Sequence, residues 1–163
     1  MDKEFLIRLN NSYKQIRTRL LLNEKIRLLL YYDEFDDTTT VPSKELVKEH
    51  IFLQPVIDTD VVEPFNKKNY ISITVPNTDV SKNKVDYTVR IIIMSEKTDW
   101  EINGNIRPLI IAQEVINELE GLKLEVSNKL SFYSMVETVT NKDVSGYSLL
   151  FTTSDGLGGG DEN

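Results

Sequence analysis

Cysteine is missing altogether from the 163 residues, and histidine occurs once, as His50. Without thiols there is no disulfide framework, no thiolate nucleophile and no soft-metal site, so stability must come from packing or from partner subunits. A lone imidazole needs partners around it for a triad or a metal centre, and no sequence signature supplies them. His50 follows Glu49 at the end of a short helical turn, which predicts a surface or half-buried histidine. Long apolar runs are also lacking: none approaches the roughly 20 residues of a spanning helix. Met1-Asp2-Lys3-Glu4-Phe5 does not have the charged-then-apolar layout of a signal peptide, and synthesis and use in a cytoplasm are expected. The terminal Gly158-Gly159-Gly160 has no lysine and no helix after it, which excludes a phosphate loop.

The chain does contain enough apolar residues for one globular domain, at 40% hydrophobic and 28% charged. Its net charge of -7 is unevenly spread. Residues 1–32 carry Lys3, Arg8, Lys14, Arg17, Arg19, Lys25 and Arg27 against Asp2, Glu4 and Glu24, a balance of +4 that leaves -11 for the remainder. A basic helical head on an acidic body suits head-to-tail or ring contacts between unlike surfaces; the plainer alternative is a solvated helix face. Arg8, Lys14, Arg17 and Arg19 are therefore candidate interface residues. Transient contact with DNA passing through a ring lumen is compatible with them, although the total charge opposes long duplex contacts and no zinc or aromatic RNA-binding signature is present.

Phe5, Leu9, Ile16 and Leu20 recur at helical spacing with Tyr13 between them, which predicts an amphipathic helix over 3–20. Asn23 can cap a second helix that uses Ile26, Leu29 and Leu30 and ends near Tyr32. An acidic and polar run over 33–40 reads as a loop, and Ser43 can cap a short turn over 44–50. Pro55 and Pro64 punctuate 52–65, which favours an extended arm over a central strand. Strands follow at 70–75 and 85–94, paired as a wide hairpin with a turn at Pro76-Asn77-Thr78-Asp79. Asn103-Gly104 marks another turn. An apolar helix over 106–119 has Asn105 as its cap, Pro108 in its first turn and Gly121 at its left-handed end. Its apolar positions (Ile106, Leu109, Ile110, Ala112, Val115, Ile116, Leu119) cover more than half the circumference. Two further strands, 130–139 and 146–152, complete the body.

The expected fold is α+β: N-terminal helices, then a small, mainly antiparallel β-β-α-β-β sheet with one apolar helix packed on it. The divisions expected are a helical segment at 1–32, a loop-rich arm at 33–68, the α+β core at 69–153 and a flexible tail at 154–163.

Two acidic clusters could offer oxygen ligands to a hard cation: Asp33, Glu34, Asp36 and Asp37, and then Asp58, Asp60 and Glu63. Neither has the spacing and central glycine of a calcium-binding loop, so solvated loops are the default. Among the aromatics near element ends, Phe52, Phe65 and Trp100 are the candidate interface anchors. No catalytic residue, metal ligand or cofactor is assigned, and the chain reads as a non-enzyme.

The order helix, loop-rich arm, strand pair, apolar helix, strand pair, with the stretches Ile106-Arg107-Pro108-Leu109-Ile110-Ile111-Ala112-Gln113-Glu114-Val115 and Asn141-Lys142-Asp143-Val144-Ser145-Gly146-Tyr147, resembles the small neck proteins of tailed bacteriophages. These are tail terminators and related head–tail joining (tail completion) proteins, and the resemblance covers about residues 69–153. It implies a virion structural protein, assembled in the host cytoplasm, that forms a cyclic homo-oligomer with no membrane contact. Six copies of a tail terminator cap the head-proximal end of the tail tube and present a surface to the head connector or adaptor. The alternative from another class is an acidic accessory binding protein, an inhibitor that mimics nucleic-acid charge. The sequence pI of about 4.8 supports it, and the basic first helix weakens it.

Overall fold

The computed structural model describes residues 3–53, 68–81, 84–125, 129–139 and 142–153, without the side chains of residues 3, 5 and 77–86. Helix α1 (Lys3–Leu22) and helix α2 (Glu24–Tyr31) meet at Asn23. The Asn23 carboxamide oxygen accepts the Ile26 N–H at 2.9 Å, a cap that contributes about 1 kcal/mol and explains the break at this residue. Helix α3 (Lys44–Lys48) starts at Ser43, whose hydroxyl accepts the Leu46 N–H. Strand β1 (Ile51–Phe52) then runs parallel to the start of β2 (Asn69–Ser81), which turns back into β3 (Lys84–Glu96).

The expected turn at 76–79 does not form. Strand β2 continues through it to pair Ser81 with Lys84, making a tight hairpin, and the register slips between Thr74 and Asn77. Pro76 sits in that slip because it has no N–H to give the ladder. A 3-10 turn at Lys97–Asp99 leads into a small hairpin, β4 (Glu101–Ile102) and β5 (Asn105–Ile106). Its tip is Asn103 (φ 51°) and Gly104 (φ 74°), the primed turn that an Asn-Gly pair favours. Helix α4 (Arg107–Leu119) follows. Its N-cap is Ile106, with no side-chain bond, because Asn105 is held in β5. Gly121, at φ +74°, ends the helix as expected.

Strands β6 (Leu130–Val139) and β7 (Val144–Thr153) form the last hairpin, and β7 inserts beside β3. The sheet order is β1-β2-β3-β7-β6, antiparallel except for the β1–β2 pair. The fold is α+β.

Register decides which residues meet the helices. Ile71 pairs with Ile93 and Ile73 with Ile91, while Ile91 pairs with Leu149 and Val89 with Phe151, so these side chains share one face. All are 0% exposed. They join Ile16 and Leu20 of α1, Ile26, Leu29 and Leu30 of α2, Val47 of α3, and Ile111, Ala112, Val115 and Leu119 of α4 in a single core. Each such side chain contributes about 1.5–3 kcal/mol by burial. Ile110 and Ile116 pack only partly against this core; the buried stripe of α4 is narrower than its apolar content. On the other sheet face Tyr70, Met94 and Val144 form a second cluster with Phe52 and Ile92.

Gly146 pairs with Met94, and a Cβ placed there would lie 1.8 Å from the Ile93 carbonyl oxygen. The obstacle is backbone and cannot swing aside. Gly146→Ala should therefore cost about 3 kcal/mol in denaturant unfolding or abolish soluble expression; wild-type stability would contradict this close approach. Burial pushes the Tyr70 phenol up to about 12 from an ordinary value of 10.0. Its contribution to stability is whole below pH 10 and is lost as pH rises from 10 to 12, because the unfolded chain ionises first. Stability should fall more steeply over that window in the wild type than in Tyr70→Phe, and parallel profiles would refute the shift.

Candidate functional site

Helical geometry divides the four candidate cations of α1 into two sets. Lys14 and Arg17 lie three residues apart on one flank, while Arg8 and Arg19 are three turns apart on another. Arg19 is engaged: its Nε lies 2.8 Å from Glu118 of α4. Lys25 reaches Glu114 at 2.9 Å, and the Asn23 amide donates to both Glu114 and Glu118. Burial alone raises the Glu114 carboxyl, but the Lys25 ammonium and the Asn23 amide outweigh it and hold the group below its ordinary range. These contacts fasten the α1–α2 junction to α4. Arg8, Lys14 and Arg17 make no ion pair among the described residues. Lys14 lines an open groove of about 490 Å³ between α1 and Leu122.

The aromatic candidates also separate. Phe52 is half-buried and packs edge-on against Tyr70 at 5.9 Å, beside the second cluster. Trp100 is half-buried beside a shallow groove of about 560 Å³ lined by Lys97, Thr98, Glu101 and Ser145. Phe65 lies outside the described residues, as do Asp58, Asp60, Glu63 and the glycine run. In the first acidic loop, Asp36 accepts from the Thr38 N–H at 2.8 Å and the Thr38 hydroxyl at 2.6 Å. The hydroxyl, then the N–H, holds its carboxyl below the ordinary range. Asp33 pairs with Lys68 at 2.7 Å. Among the described residues no group of three acidic or histidine side chains is placed to hold a metal ion.

His50 is buried, at 5% exposure, against the expectation of a surface or half-buried ring. Its Nδ1–H donates to the Asn69 carbonyl at 2.9 Å, and its own carbonyl accepts the Ile71 N–H at 2.8 Å. The imidazole thereby fixes the junction between α3 and the start of β2. The Asn69 amide in turn donates to the Asp99 carboxylate.

Arg107 is the residue that sequence reasoning missed. It is 0% exposed. Its Nε donates to the Asp99 carbonyl at 2.9 Å and lies 3.6 Å from the Asp99 carboxylate. One terminal nitrogen donates to the carbonyls of Leu29 (2.7 Å) and Tyr32 (2.8 Å), and the other to that of Asp33. The guanidinium thus satisfies the open carbonyls at the C-terminus of α2, where a cation is also favoured by the helix dipole. Burial pulls it below its ordinary range while Asp99 and Asp33 oppose, and a guanidinium stays charged regardless. The signal was present: a lone cation at the N-terminus of the most apolar helix is on the wrong side of that helix's own dipole.

A second feature was also unread. Strand β6 is the outer edge of the sheet, and Tyr133 (71%), Met135 (44%), Val136 (61%) and Val139 (66%) stand exposed on it. Native edges are normally guarded by lysine, proline or shortness; β1, the other edge, has two residues, whereas β6 has ten with Glu137 as its one charge. No helix among the described residues is long and apolar enough to cross a membrane.

A family model described as YomW matches residues 23–153, from Asn23 to the end of β7, and the chain belongs to the YomW family. No curated protein matches. Among solved structures, a chain from the virion of a native gene transfer agent (GTA) particle is similar at 16% identity and a TM-score of 0.43, covering 67% of this chain and 80% of that one.

Replacing Arg107 tests the buried tie. Arg107→Leu should cost about 3–5 kcal/mol, because the α2 carbonyls and the Asp99 carboxylate lose their partner. Arg107→Lys should recover only part of that, since one ammonium cannot span the same carbonyls. Urea titrations showing a loss under about 1 kcal/mol for both would contradict this role.

Proposed function

We propose that this YomW-family chain is a structural subunit of a tailed-phage virion, a ring-forming neck or tail-terminator component that joins the tail tube to the head connector. The observation that carries the reading is the unguarded ten-residue edge β6 with four exposed large apolar side chains. Such an edge is an aggregation hazard in a lone monomer and is suited to a chain that works inside an assembly. The basic α1, with Arg8, Lys14 and Arg17 unspent, supplies an unlike surface elsewhere on the same subunit, as a head-to-tail contact requires. The sequence resemblance to neck proteins over 69–153 gives the assembly its identity. In this reading residues 69–153, with the helices and β1 packed on them, form the body of the ring, and DNA passes transiently through the lumen.

The acidic-inhibitor alternative expects carboxylates gathered on one free face. Glu114 and Glu118 are instead bound to Lys25, Arg19 and Asn23, Asp99 to Asn69 and Arg107, and Asp33 to Lys68.

The mass of the purified chain across a concentration series, with negative-stain images of the largest species, tests the proposal. A closed ring, of six subunits for a terminator, is the expected result. A monomer or dimer at every concentration that also fails to ring the ends of tail tubes would overturn it.

A further inference from the structure

The core face of the sheet and the helix layer that covers it do not end in the same place. On β6, Leu130 is buried and Phe132 packs edge-on against Phe151 at 5.7 Å. Past the slip between Phe132 and Ser134, Met135 pairs with Leu149, Glu137 with Tyr147 and Val139 with Ser145, so Met135, Glu137 and Val139 continue the face that carries Leu149 and Phe151. Leu149 and Phe151 are 0% exposed, whereas Met135 and Val139 are 44% and 66% exposed. The helix layer therefore covers only the first half of β6 and leaves a strip of core face bare on the second.

Helix α1 carries exposed apolar side chains of its own. Its inner side is seated, with Ile16 and Leu20 buried. Ile7 (60% exposed) lies nine residues from Ile16 and so half a turn round, on the outward flank, with Leu6 (53%) beside it. Ile7, Lys14 and Arg17 fall on one stripe at spacings of seven and three, with Leu6 alongside. That stripe pairs an apolar end with two cations that have no ion-pair partner among the described residues. The strip on β6 pairs two apolar side chains with a carboxylate, Glu137. One patch is the outward flank of a helix and the other a bare strip of sheet, and their charges are opposite.

We infer that the two patches are halves of one contact between copies of this chain: the outward flank of the N-terminal half of α1 of one copy lies over the bare β6 strip of the next. Leu6 and Ile7 meet Met135 and Val139, and Lys14 and Arg17 face Glu137. The lengths agree, since Leu6 to Arg17 spans roughly 16 Å of helix and Met135 to Val139 roughly 13 Å of strand. Two different patches meet, so the contact is heterologous, the kind that closes into a ring when its rotation closes. The inference rests on the ring reading only in taking a second copy as the occupant.

The cysteine-free chain permits a direct test by mixing two single variants, Ile7→Cys and Val139→Cys, under mild oxidation. A disulfide-linked heterodimer should form at least tenfold faster than in a control mixture of Ile7→Cys with Leu46→Cys, a position 51% exposed on α3. Separately, Glu137→Arg should weaken self-association, and Glu137→Arg combined with Lys14→Glu and Arg17→Glu should restore it. Rings that form while the Ile7→Cys/Val139→Cys pair links no faster than the control would overturn this contact and leave the ring reading standing. Fast linkage without any ring would establish the contact and remove the ring. Neither linkage nor association would overturn both.

Discussion

The Arg107 guanidinium is the tie on which the arrangement of helices over the sheet depends. It is the only charged side chain among the described residues with no exposure at all, and its donors are spent on backbone carbonyls at the end of α2 and in the 97–99 turn. A buried charge is tolerated only when its hydrogen-bonding capacity is used. That condition locks three things together: where α2 stops, where β3 turns away from the sheet and where α4 begins. Asp99 carries the tie onward to Asn69, and Asn69 to His50, so the start of β2 and the short β1 are fixed by the same chain of contacts.

With one end of the helix layer set this way, the other end follows from lengths. Helix α4 has 13 residues and spans about 20 Å, and it runs over β3, β7 and part of β6. Strand β6 has ten residues, roughly 33 Å of chain, in the outermost position, and Met135 and Val139 in its second half are left exposed on the core face. Helix α1, with 20 residues, presents Leu6 and Ile7 to solvent near its N-terminal end. The Glu114 and Glu118 contacts hold its C-terminal end to α4 and prevent it from sliding to cover the gap. Exposed apolar surface on this chain is then a product of its own rigid packing, and it is what the proposed assembly would cover.

Much of this was legible from local chemistry. Periodicity located every long element, Asn23 and Ser43 capped as their side chains allow, and Asn103-Gly104 and Gly121 took the positive φ that their residue types favour. What was not legible depended on contacts distant in sequence. The role of Arg107 requires carbonyls more than 70 residues away. His50 reads as a surface or half-buried histidine at the end of a helical turn because its partner, Asn69, comes 19 residues later. Pro76 reads as a turn residue until the β3 partner shows that the ladder can slip around it. Charge and aromatic character pick out interface candidates without their partners: tertiary pairing ties Arg19 to Glu118 and leaves Lys14 and Arg17 without an ion pair among the described residues, Phe52 packs on Tyr70, and the apolar β6 edge is invisible in a single strand that does not reveal its place in the sheet order.

The central claim is that the two exposed patches, on α1 and on β6, become covered together when copies assemble. Hydrogen–deuterium exchange of the full chain, compared between dilute and concentrated solution, tests it most directly. The account predicts that amide protection rises with concentration in two places at once, the first turns of α1 and residues 133–139 of β6, while α4 and β3 stay unchanged. Protection that is the same at both concentrations, or that rises in only one of the two segments, would contradict it.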